Sequence, residues 1–193
     1  MPNININDYN VIGENEFKSV LYDTAIVTTS EFNPSNPSFE NVSVLCATTG
    51  DVTISSTYDI NNLAEDVNNI HGMPIEMMQL SNRQHTCSFT AVGVTAETVK
   101  LALAASTTGT DGAIVPKSYI STTDFPSTAL WIIATRLDGG MFVVKFERYL
   151  NTNGFQLTTS KAGKGQLAIT LQGYNSIADM NASPVTFYPI AGT

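Results

Sequence analysis

The sequence predicts a mainly β fold: an antiparallel β-sandwich or open barrel with one short flanking α-helix, a long β-hairpin loop, and extended N- and C-terminal arms. Three observations point there. Short runs of alternating apolar and polar residues recur along the chain, separated by Gly, Pro and Asn turn signals. One stretch, Thr86–Ser106, changes from the period of a strand to that of a helix. Elsewhere no strong helical period is found. At 193 residues the chain is expected to form a single domain, 1–193, with a sizeable core.

Residues 1–16 are polar, Asn-rich and patternless, and are expected to form an N-terminal arm. V-L-Y-D-T-A-I-V-T-T, within Phe17–Thr29, is a plausible first strand. The run E-F-N-P-S-N-P-S-F-E that follows is a loop. Val42–Ala47 resumes an apolar run. Asp51–Asp59 alternates cleanly, with Val52, Ile54, Ser56 and Tyr58 on one face and polar residues on the other. The next stretch spaces Leu63, Val67 and Ile70 like a helix, but its Asn pairs and H-G-M-P ending favour an irregular tip. A return strand from about Glu76 completes a long hairpin.

Thr86–Ala91 then alternates, with Cys87, Phe89 and Ala91 opposite Thr86, Ser88 and Thr90. Beyond Gly93, Thr95 is a good N-cap and Glu97 suits the positive end of the helix dipole. Val99, Ala102 and Leu103 are the expected core-facing residues of a helix over Thr95–Ser106. Ala113–Ile120 carries Pro116 and reads as an edge strand. Thr128–Tyr149 is the clearest hairpin, turning at D-G-G. Phe155–Thr159 and Gln166–Tyr174 form another across S-K-A-G-K-G. The strand V-T-F-Y-P-I falls in an expected C-terminal arm, 176–193.

Charge and chemistry exclude several functions. The formal net charge is -8, and charged residues are only 13% of the chain. Residues 1–85 hold 11 acidic against 2 basic residues; residues 86–193 hold 6 against 7. There is no basic footprint for ordinary DNA binding. A head-to-tail contact between an acidic and a near-neutral surface is compatible with this split. The opening M-P-N-I-N-I-N-D-Y-N lacks the basic and apolar regions of a signal peptide. No apolar run approaches a membrane span, and no membrane partner is expected. Cys46 and Cys87 read as buried free thiols. His71, His85 and the cysteines lack zinc-ligand spacing, so neither metal nor cofactor is expected. No G-x-S-x-G, P-loop or dinucleotide fingerprint is present, and only two histidines are available as a base, so the chain is not expected to be an enzyme. The loop holding Lys161 and Lys164 reads as a soluble hairpin turn rather than a phosphate site.

Three strand faces are polar and free of Lys and Arg. Asp51, Thr53, Ser55, Thr57 and Asp59 form one. Gln84, Thr86, Ser88 and Thr90 form the second. Gln156 and Thr158, with Thr170 and Gln172, form the third. Such faces occur on the wet side of many antiparallel sheets, though those usually carry Lys and Glu as well.

The order of these segments resembles the major tail tube proteins of long, non-contractile-tailed bacteriophages. The resemblance covers roughly Phe17–Tyr174. It rests on T-T-G-D-V-T-I-S at Thr48–Ser55, C-S-F-T-A-V-G-V-T-A-E-T-V-K-L-A-L-A-A at Cys87–Ala105, and the closing runs L-W-I-I-A-T-R-L-D-G-G-M-F-V-V-K-F and G-F-Q-L-T-T-S-K-A-G-K-G-Q-L-A-I-T-L-Q-G-Y. It implies a virion protein, made in the host bacterial cytoplasm, that assembles into hexameric rings stacked as a hollow tube. Each subunit would add about four strands to a continuous lumen sheet. Phage DNA would pass through without specific binding, and tape-measure and tail terminator or tip proteins would be further partners. On this resemblance the thirteen polar residues are lumen-facing candidates. The same subunit physics would serve a contractile tail or a phage-derived bacteriocin. A different class, a β-sandwich binding module of a tail tip or surface protein that recognises carbohydrate or a receptor, needs an exposed aromatic platform. Trp131, the only tryptophan, lies in an apolar strand, so that alternative is the weaker one.

Overall fold

The computed structural model describes residues 18–161, 163–180 and 182–192; the expected arm 1–16 lies outside them. Alternation resolves into two antiparallel sheets and a small ribbon. One sheet has the order β1-β6-β7-β11, from Leu21–Thr28, Leu130–Arg136, Met141–Phe146 and Val185–Ile190. The other has the order β2-β3-β10-β8, from Ala47–Asn62, Met78–Val92, Gln166–Gly173 and Tyr149–Asn151; β9 (Gln156–Thr158) also pairs with β10. The ribbon joins β4 (Ser106–Thr108) to β5 (Ile114–Pro116), so Pro116 lies at the end of a strand paired on one side only.

The sheets share one core. Val27, Leu130, Ile132, Val144, Phe146 and Val185 meet Cys87, Phe89, Ala91, Leu167, Ile169 and Leu171. These residues alternate along their strands, so each sheet turns one apolar face inward. The first sheet is covered on its other face too. There Phe32, Trp131, Ile133 and Val143 form a second buried cluster, with Phe32 brought in by the N-P-S-N-P loop. Thr28 anchors that loop by donating to the Ser43 carbonyl at 2.6 Å and accepting from Ser30 N–H at 3.0 Å. The D-G-G hairpin needs both glycines for different reasons. Gly139 sits at φ +78°, and a Cβ on Gly140 would meet the Ile190 carbonyl oxygen at 2.3 Å.

The segment expected as a C-terminal arm, 176–193, carries the expected strand V-T-F-Y-P-I. Its strand, β11, pairs with β7 from Val185↔Phe146 to Ile190↔Met141, and Val185 is buried in the shared core. An apolar strand beside an open sheet edge gains more by pairing there than by remaining extended.

Helix α1 spans Ala96–Ala102 and begins in a reciprocal cap: Thr95 Oγ1 accepts from Thr98 N–H, and Thr98 Oγ1 accepts from Thr95 N–H. It ends earlier than its periodicity suggested, because Ala104 turns to φ +61° and Ser106 starts the ribbon. Its buried residues are Thr98 and Ala102, with Leu101 packed on the core; Val99 and Leu103 are half-buried. The capping bonds satisfy the Thr98 hydroxyl, which lets a polar residue take the buried place assigned to Val99.

Asn151 ties the helix to the second sheet. Its Nδ2 donates to the carbonyls of Ala102 (2.6 Å) and Gly154 (2.8 Å), and its Oδ1 accepts from Thr170 N–H at 3.0 Å. Ala102 C=O is one of the carbonyls a helix end leaves without an internal partner. Asn151→Ala leaves the buried Ala102 carbonyl and two part-buried backbone groups without this partner, and is expected to cost about 1–3 kcal/mol in chemical denaturation. Asn151→Asp, which keeps the acceptor and loses the donor, is expected to rescue little of it.

Candidate functional site

The β2–β3–β10–β9 layer gathers the polar faces into one surface. Residues directly opposite in an antiparallel ladder share a face. The register gives the rows Thr53–Ser88–Thr170 and Ser55–Thr86–Gln172 across three strands. Thr57 lies opposite Gln84, and Thr90 stands between Thr49 and Ala168. Gln156 extends the Thr90 row beyond Ala168, and Thr158 pairs with Gln166. Ser88 Oγ donates to Thr170 Oγ1 at 3.2 Å, so neighbouring strands are linked across the face by their hydroxyls. The face ends at β8, where Leu150, opposite Gln172, is buried.

Asp51 reaches this surface through an irregularity. Between Thr49 and Thr53, β2 carries two more residues than β3 does between Thr90 and Ser88, and Gly50 takes φ +71°. The detour leaves Val52 and Ile54 against the core. It sets Asp51 beside Thr53, Ser88, Thr90 and Thr170 around a shallow hollow of about 170 Å³. Asp51, Thr53, Thr57, Asp59, Gln84, Gln156 and Thr158 are exposed; Ser55, Thr86, Ser88, Thr90, Thr170 and Gln172 are half-buried among their neighbours.

Asp59 joins the face across a second bulge, which the alternation does not reveal. On β3 the polar positions are even from Gln84 to Thr90, but odd at Gln79 and Ser81. The change of parity falls at Asn82, which adopts φ +47° and adds a residue opposite β2. Beyond it, Asp59 pairs with Ser81 and Asn61 with Gln79. Asn82 Nδ2 donates to Asp59 Oδ2 at 2.8 Å, and Asn61 Nδ2 to Ser81 Oγ at 3.0 Å. Gln79, Ser81, Asn61 and Gln166 therefore extend the thirteen expected residues. The available signal was a break in period at an Asn, one of the non-glycine residue types that most readily take left-handed backbone.

No Lys or Arg occurs among the residues that the register places on this face. Arg83 neighbours His85, which faces inward with Ser56: Ser56 Oγ and His85 Nδ1 are 2.9 Å apart. Cys87 is fully buried, and burial pushes its thiol up to about 12, so it is not a nucleophile. Among the described residues, no group of three or more His, Cys, Asp and Glu is placed to hold a metal. No helix among them is long and apolar enough to cross a membrane. Trp131 is only 4% exposed, with Lys145 Nζ 5.1 Å from its ring centroid, and offers no platform for a ligand.

No family model matches the chain, and no curated protein matches it. Two of the solved structures that the chain resembles come from gene transfer agent particles. One is the tail of an empty GTA particle, described as refined helically with C6 symmetry: 10% identity, TM-score 0.39, covering 79% of this chain and 92% of that one. The other is the virion of a native gene transfer agent particle: 8% identity, TM-score 0.39, covering 84% of this chain and 94% of that one.

Two measurements probe the surface and its support. Deleting Asn82 turns every side chain of the hairpin beyond it to the opposite face, and is expected to abolish amide protection at Asn61 and Asn62 while leaving β10 protected. His85 is held below its ordinary value of 6.5, first by burial and then by Arg83. The folded chain thus keeps a neutral imidazole that the unfolded chain protonates, so this contribution to stability is complete above about pH 6.5 and is lost as pH falls below it. His85→Asn is expected to lose that part of the fall in Tm between about pH 7.5 and pH 5.5.

Proposed function

We propose that this chain is a tail structural subunit that assembles with copies of itself into rings stacked as a tube, with the polar face of the second sheet lining the lumen. The observation that carries the reading is that face: a continuous, uncharged-to-acidic surface without Lys or Arg, backed by an apolar face buried in the subunit. A conduit for a polyanion requires this chemistry, because basic groups on the wall would hold phosphates by counterion release and slow transit. The resemblance of Phe17–Tyr174 to major tail tube proteins supports the same reading.

Two open edges suggest how a ring closes. β2 is 16 residues long, pairs only with β3 among the described residues, and contains neither Lys nor Pro. A long edge of that kind is normally blunted unless another strand covers it. On the far side of the sheet, β9 offers a second unpaired edge. Joining β2 of one copy to the β9 side of the next is a head-to-tail contact, which closes when the rotation per subunit divides a full turn. Six copies, as the sequence resemblance implies, would give one continuous lumen sheet. DNA would traverse it, and tape-measure and terminator or tip proteins would occupy or cap it.

Electron microscopy of the concentrated protein tests the assembly, with rings or tubes expected; a chain that stays monomeric at every concentration refutes the reading. In particles carrying the chain, Thr53→Lys with Ser55→Lys is expected to leave the tube intact but slow or stall DNA delivery. Undiminished infectivity would show that this face does not line the DNA path.

A further inference from the structure

The chain contains a single Asn-Gly step, Asn153–Gly154. It sits in the turn between β8 and β9, where both residues are exposed and Gly154 takes φ +70°. The turn is hung from its neighbours. Thr152 N–H donates to the Thr170 carbonyl at 2.8 Å, and Asn151 Nδ2 donates to the Gly154 carbonyl at 2.8 Å. The Asn153 side-chain amide and the Gly154 N–H enter no hydrogen bond among the described residues. Space beside the Gly154 Cα is open, so nothing crowds its nitrogen from that side.

Comparable groups elsewhere are held in place. The two Asp-Gly steps are Asp111–Gly112 and Asp138–Gly139. Asp111 Oδ1 accepts from Ala113 N–H at 3.1 Å; Asp138 accepts from Gly140 N–H and pairs with Arg136, both at 2.8 Å. An ionised carboxylate is also a poor target for a nucleophile. Asn61, Asn82 and Asn175 each donate from Nδ2 to a fixed acceptor, and Asn151 spends its whole side chain on Ala102, Gly154 and Thr170. Asn153 alone combines an unheld amide with a following N–H that has no partner and no Cβ to hinder attack.

We infer that the chain modifies itself here: Asn153 deamidates through a succinimide, with water as the co-reactant. The Gly154 nitrogen, its proton lost to solvent, bonds to Asn153 Cγ. The Cγ–Nδ2 bond breaks, and ammonia leaves with a proton from solvent. Water then opens the ring. Addition at Cγ breaks the new bond and gives aspartate. Addition at the backbone carbonyl breaks the original peptide link and gives isoaspartate, with the chain routed through the side chain. Either product places a carboxylate within residues 148–178, which contain no Asp or Glu. Isoaspartate also inserts a carbon into the backbone before Gly154, which draws the Gly154 carbonyl away from Asn151 Nδ2. The same Asn151 holds the Ala102 carbonyl at 2.6 Å and Thr170 N–H at 3.0 Å. A covalent change in an exposed turn is thereby carried to the end of α1 and to β10.

The test incubates the full chain in mildly alkaline buffer beside the free peptide T-N-G-F-Q, and follows both by peptide mapping with isoaspartyl methyltransferase labelling. Conversion at residue 153 is expected at a rate close to the peptide's, with an acidic shift of one charge on isoelectric focusing. Asn153→Gln, whose longer side chain would have to close a larger ring, is expected to stay unmodified. In the isoaspartate form the Thr170 amide is expected to lose protection from hydrogen exchange. Freshly prepared Asn153→Asp, which brings the charge without the rerouted backbone, is expected to keep it. Conversion about tenfold or more slower than in the peptide overturns the inference, because the fold then withholds the pair from reaction. Modification at other asparagines while residue 153 stays intact overturns it as well. An isoaspartate form with full protection at Thr170 overturns the link to Asn151.

Discussion

The register of β3 between β2 and β10 is the constraint on which the rest depends. One row of that ladder sets Ile54, Cys87 and Leu171 side by side on the core face, and the next sets Ser55, Thr86 and Gln172 side by side on the outer, polar face. A slip of one residue on either side would exchange the two sets and bury a row of hydroxyls without partners. The core thus enforces the polar surface. No residue of that surface needs to be strongly held by its own contacts, because the apolar residue before and after it fixes its direction.

Where the core stops, other devices take over. Past Ser56 and His85 no second sheet backs the hairpin, and the bulge at Asn82 keeps the polar residues together by adding one residue where the sequence parity changes. Asn151 serves the other end of the sheet. It satisfies the helix end, the β8–β9 turn and a backbone amide of β10 with a single side chain. Both devices use asparagine, one for backbone conformation and one for its paired donor and acceptor.

The low charge content acquires a location. Three of the acids in the second half of the chain are taken up in short-range ion pairs: Asp124 with Lys117, Asp138 with Arg136, and Glu147 with Lys145. Hydrogen bonds from Lys117 and from Ser121 hold Asp124 at about 2, so this carboxylate stays ionised through the ordinary pH range and pins the loop 121–124. Apart from these pairs, the second sheet keeps a neutral-to-acidic face, with Asp59, Glu65, Asp66 and Glu76 against Arg83 at the hairpin end and exposed Lys161 and Lys164 at the other. That distribution is polar along the strand direction, which a symmetric, self-complementary dimer would not require.

Much of this was legible from residues alone. The β class, the D-G-G hairpin, the strand-to-helix step and the membership of each polar face follow from periods of two and 3.6, which are local properties of the chain. So does the burial of Trp131, signalled by its apolar strand. Three features were not legible. The closing strand Val185–Ile190 joins a sheet whose other strands lie about forty residues or more earlier, and only the free edge of β7 makes that position favourable. The helix turns Thr98 rather than Val99 inward because its cap satisfies the hydroxyl and its last turn is cut short at Ala102. The polar faces are one surface because ladder pairing joins residues up to about eighty positions apart, as between Ser88 and Thr170. Sequence determines which way each side chain points along its own strand; the pairing of distant strands decides which of them become neighbours, because that choice depends on hydrogen bonds and core contacts no single segment contains.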